Sequence, residues 1–73
     1  MEDLLKQLIE IKNKTGLTIK DIAMRANLST RTIRRWNNGT RNPHPLHIEA
    51  LERVLKDIIN FYKERGIEIE KII

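Results

Sequence analysis

Apolar residues recur at every third or fourth position over most of this chain, a spacing that predicts helices. Leu4, Leu5, Leu8 and Ile9, with Ile11 or Lys12 at the margin, put one apolar stripe on a helix over residues 3–13. Asp3 suits its start, Lys12 and Lys14 suit its C-terminal dipole, and Gly16 supplies the stop. Thr18 then opens a second helix, and Thr18 with Asp21 has the form of a capping box. Ile22 and Ala23 face inward there, with Ile19 and Ala26 as further apolar positions. Ala23 either lets two steeply crossing helices approach closely or serves simply as a good helix former.

Asn27-Leu28-Ser29 reads as a turn, because Asn tolerates the left-handed backbone and Ser is a good N-cap. A third helix follows over about 30–38, with Ile33 and Trp36 on one face and Asn38-Gly39 at its end. Arg41, Asn42 and Pro43 make a basic loop, and Pro45 fits the first turn of the next helix. From there to about Arg65, Ile48, Leu51, Leu55, Ile58 and Tyr62 keep a helical period, for which we expect a kink near 55–58. The last stretch, 66–73, alternates instead: Ile67 and Ile69 against Glu68 and Glu70, which predicts either a short strand or a frayed or helical terminus. A lone strand needs a partner, most simply the same segment of a second subunit. The expected fold is all-α, a compact bundle of four or five helices over residues 1–65, with a dimerising tail at 66–73.

Composition changes this picture little, but the placement of charge changes it a good deal. The chain has 73 residues, enough for one domain, and no cysteine, which excludes disulfides and thiolate metal sites. No apolar run is long enough to span a bilayer, and the acidic start MEDLLKQLIE lacks a signal-peptide apolar block. These features lead us to expect a cytoplasmic protein. From Lys12 to Arg41, eight basic residues stand against Asp21 alone, whereas the remaining residues carry six bases and nine acids. That asymmetry predicts an electropositive face made to meet a polyanion.

The third helix gives the face a chemistry. Anchored from behind by Ile33 and Trp36, it presents Thr30, Arg31 and Arg34. An arginine donates two parallel hydrogen bonds to a guanine edge in the major groove, and a threonine meets a thymine. Arg35 on the flank suits a phosphate. So do Thr18, Ile19 and Lys20 at the start of the second helix, and Asn38, Arg41 and Asn42 beyond the third. His44 and His47 are the only hint of a metal site, and without a third ligand they read as surface or capping residues. No catalytic set and no glycine-rich phosphate loop can be placed, and neither cofactor nor small-molecule substrate is expected.

Three segments together resemble the phage repressor/Cro-like helix-turn-helix family: Thr18-Ile19-Lys20-Asp21-Ile22-Ala23, Asn27-Leu28-Ser29, and Thr32-Ile33-Arg34-Arg35-Trp36-Asn37-Asn38-Gly39-Thr40-Arg41-Asn42-Pro43. Ile48, Leu51 and Leu55 fall where that family places the apolar residues of its fourth helix, so the resemblance covers about residues 4–55. It implies a helix-turn-helix domain with its third helix in the major groove, and frequent dimerisation on near-palindromic sites. The chain departs from the family at Ile19, where a phosphate-holding Gln is common, at Asn27 for the usual turn Gly, and at Asn37 for a frequent acid. The expected function is sequence-specific binding of duplex DNA by a repressor or autoregulator that dimerises through residues 54–73. The alternative is an architectural or protein-interaction module with non-specific DNA affinity.

Overall fold

The computed structural model describes residues 2–39 and 43–73. Four helices follow one another: α1 (Glu2–Thr15), α2 (Ile19–Arg25), α3 (Thr30–Asn37) and α4 (Pro45–Lys63). α1 packs on α4, and α2 packs against both α3 and α4. Leu8, Ile11, Ile22, Ala23, Ile33, Leu51, Leu55 and Ile58 meet in one core where these helices converge.

Each helix starts and stops where local chemistry directs. Thr18 and Asp21 form the complete capping box, in which the Thr18 side chain accepts from the Asp21 N–H and the Asp21 side chain accepts from the Thr18 N–H. α2 ends in a Schellman motif: the Leu28 N–H reaches back to the Ala23 carbonyl (2.9 Å) and the Asn27 N–H to that of Met24 (3.1 Å). Asn27 supplies the left-handed residue this ending needs, at φ 57°. The same motif closes α4, with Gly66 at φ 83° and the Ile67 N–H on the Tyr62 carbonyl.

The structure corrects three expectations. The buried face of α1 is Leu4, Gln7, Leu8 and Ile11, whereas Ile9 is 47 % exposed. The i, i+3, i+4, i+7 series starting at Leu4 includes a polar residue, and a stripe drawn only through apolar residues is rotated away from it. α4 is a single helix from Pro45 to Lys63, with no break near 55–58. Its buried Leu51, Leu55, Ile58 and Ile59 hold one face throughout, so nothing requires a bend. Among the described residues there is no strand, and no fifth helix after α4.

The segment after Gly66 finds its partner within its own chain. Ile69 is buried in the core and Ile73 packs against it. Gln7, fully buried, meets this segment with both ends of its amide. Its Nε2 donates to the Glu70 carbonyl (2.9 Å), and its Oε1 accepts from the N–H groups of Ile72 and Ile73. One side-chain amide thus does for the tail what a neighbouring strand was expected to do. Replacing Gln7 with Leu strands these groups, which predicts a loss of about 1–3 kcal/mol in denaturant unfolding and faster amide exchange at Ile72 and Ile73. Unchanged stability and exchange would show that Gln7 does not hold the tail.

Candidate nucleic-acid interface

The position of α3 follows from two side chains. Ile33 is fully buried and Trp36 nearly so, and the other six residues of the helix are polar. At about 100° per residue, the direction opposite Ile33 and Trp36 falls on Arg31 and Asn38, with Arg34 and Arg35 about 50° to either side. Arg31, Arg34, Arg35 and Asn38 are all exposed, while Thr30 at the start is half-buried. The Ser29 hydroxyl caps the helix by accepting from the Thr32 N–H (3.0 Å) and shares a 2.7 Å hydrogen bond with the Thr32 hydroxyl. Asn38 caps the other end, its N–H on the Arg34 carbonyl. Both ends of this eight-residue helix are therefore fixed, and three guanidinium groups leave it on the solvent side.

Arg34 leans toward the first two helices. It lines a groove with Lys12 and Asn13 from the end of α1 and with Thr18, Ile19 and Lys20 from the start of α2. The fold thus brings Thr18, Ile19, Lys20 and Arg34 together. It adds Asn13, and it sets Lys12, the first residue of the basic stretch, beside Arg34. No local signal marks Asn13, since the groove exists only once α3 is docked. The Ile19 side chain is half-buried and packs against the core, so only its backbone N–H is available to a ligand. That accounts for an apolar residue at this position. Arg41 and Asn42 lie outside the described residues.

Electrostatics at the start of α2 are mixed. Asp21 accepts hydrogen bonds from the Thr18 N–H and the Thr18 hydroxyl, both 2.9 Å. These bonds, the backbone one foremost, hold its carboxyl below the ordinary 3.8, and the nearby Arg25 and Lys20 add to the effect. The Thr18 hydroxyl has its proton on Asp21, so its donor is already engaged within the chain. Lys12, Lys20 and Arg34 supply the positive charge of the groove.

His44 and His47 stand with ring centroids 5.5 Å apart. However, His44 Nδ1 accepts from the Leu46 N–H (3.1 Å) as the cap of α4. That contact engages one of its two ring nitrogens within the chain. No group of three His, Cys, Asp or Glu converges among the described residues.

Two short helices joined through a left-handed residue, the second anchored by an apolar pair and studded with arginine, are the geometry of a helix-turn-helix. A helix-turn-helix family model matches residues 5–58, most of the chain. The chain belongs to that family. No curated protein and no solved structure matches it. Helix-turn-helix domains of this kind are non-catalytic DNA-binding modules of transcription regulation, which accounts for the arginine face. No described helix of the domain is long and apolar enough to cross a membrane.

The Asp21 cap yields a pH test. Because the folded value lies below 3.8, the carboxylate's contribution is complete above that pH and is lost as pH falls through the folded value. Asp21→Asn should remove this part of the acid destabilisation, read as a smaller stability difference between neutral pH and pH below 3.8. An identical acid profile in wild type and variant would refute the assignment.

Proposed function

We propose that this helix-turn-helix protein is a sequence-specific regulator, a repressor or autoregulator acting in the cytoplasm, that reads duplex DNA through α3. The observation that carries the reading is the outward fan of Arg31, Arg34 and Arg35 on a helix whose opposite side is locked by Ile33 and Trp36. The major groove is roughly 12 Å wide and admits one such helix. Thr30, Arg31 and Arg34 touch base edges, with Arg31 central. Arg35, Asn38 and the start of α2 at Ile19 and Lys20 hold the phosphates, with Lys12 beside them, while both donors of Thr18 stay on Asp21.

The active species is a homodimer through residues 54–73. Phe61 and Ile67 support this: they are 46 % and 39 % exposed, so both offer apolar surface to a second copy. Phe61 is also held in place, with its ring edge against Tyr62 and the Arg65 guanidinium 3.7 Å above it. Sedimentation at tens of micromolar should give a dimer, converted to monomer by Phe61→Glu; a wild-type monomer at that concentration would remove this part of the proposal.

Arg31→Ala and Arg34→Ala should each lower the ratio of specific to random-duplex affinity by about 1–3 kcal/mol. Lys20→Ala should instead weaken all duplexes alike and flatten the salt dependence. If both arginine variants leave the ratio unchanged, the base-reading role falls and a non-specific architectural module becomes the better reading.

A further inference from the structure

α4 has two unlike flanks. Between α4 and the segment that follows it, Lys56, Lys63 and Lys71 stand against Glu68. The flank beside α2 instead carries Val54, Asp57 and Phe61 along a shallow cleft of about 280 Å³, with Arg25 at its side. Phe61 is exposed there and Val54 half-buried, so the middle of this flank is apolar.

Charge on this flank is arranged around Phe61. Asp57 lies four residues before it and Arg65 four residues after it, about 6 Å of helical rise to either side. Arg65 follows the end of α4 but stays in line, its N–H on the Tyr62 carbonyl (3.0 Å). Its guanidinium donates to the Phe61 carbonyl (3.2 Å) and lies 3.7 Å over the Phe61 ring. The Asp57 carboxylate is exposed and, among the described residues, has no salt-bridge or hydrogen-bond partner. Arg25 shares the cleft, but its charge acts on Asp21.

A face with an apolar centre, an anion on one side and a cation equally far on the other is complementary to itself about a two-fold axis. We infer that two copies pair through α4 in antiparallel orientation, with Phe61 on the axis and each Asp57 against Arg65 of the second copy. This rests on the dimer proposed above and narrows it from residues 54–73 to residues 54–65. The rings keep water from the centre, and the charges set the orientation, since a parallel pair would put Asp57 on Asp57 and Arg65 on Arg65. The lysine flank lacks this symmetry: a two-fold axis there brings the lysines of both copies together. The tail stays on its own chain, with Ile69 in the core and the backbone of Glu70, Ile72 and Ile73 on Gln7.

Exchanging the charges tests the pairing. Asp57→Arg alone sets arginine against arginine at both pairs of a homodimer, and Arg65→Asp alone sets aspartate against aspartate. Mixed, the two variants match, because the two arginines of one chain then face the two aspartates of the other. Sedimentation of the full chain at tens of micromolar should give a wild-type dimer, about tenfold weaker dimerisation of each variant alone, and a dimer again from their equimolar mixture. Recovery on mixing also shows that both variants fold. A wild-type monomer would remove the dimer itself and this pairing with it. A wild-type dimer that neither variant weakens would leave the dimer standing and overturn the α4 pairing. Variants that stay monomeric when mixed would overturn it too, since their loss would then not come from facing charges.

Discussion

The burial of Ile33 and Trp36 is the constraint on which the rest of this molecule depends. An isolated helix of eight residues does not persist in water, so α3 exists only because it is docked. It has two apolar side chains with which to dock, three residues apart, and burying each contributes about 1.5–3 kcal/mol. Once they are seated, the direction of every other side chain on the helix is set. The arginines cannot turn inward without exposing the anchors. Fully buried Ala23 and the α2 turn complete the seat: the Ala23 carbonyl receives the Leu28 N–H, so the same residue fixes both the packing and the ending of α2. This supports close approach, rather than helix propensity alone, as the reason for a small side chain at that position.

Charge is distributed around this seat with a clear division. The groove between α1, α2 and Arg34 collects Lys12 and Lys20, while Asp21 is held at the start of α2 by its hydrogen bonds to Thr18. A capping carboxylate stabilises the helix start but opposes an incoming phosphate. The lysines and Arg34 offset that opposition in the same groove. The N-terminus of α4 is closed in another way, by a proline without an N–H and by His44, whose ring nitrogen takes up the Leu46 N–H.

Features governed by neighbours in sequence were legible before the fold was known. Thr18 with Asp21, Ser29 and Asn27 act over three or four residues, and each does in the structure what its chemistry predicts. Ile33 and Trp36 were legible for the same reason, since their spacing alone puts them on one face. Features that depend on distant partners were not. Gln7 reads as a polar interruption of an apolar stripe until residues 70–73 arrive beside it. The alternation of Ile67 to Glu70 signals extended backbone but not what will satisfy it, and a buried amide took the place of a second strand. Lys12 joins the site only because α3 carries Arg34 to the end of α1.

The central claim is that the solvent side of α3 reads base sequence. Selection of bound duplexes from a random pool, using the full chain, tests it most directly. Base reading by Arg31 and Arg34 should enrich a motif rich in guanine, in two half-sites about 34 Å apart for the proposed dimer. A bound fraction with no enriched motif, retained as tightly as the unselected pool, would contradict it.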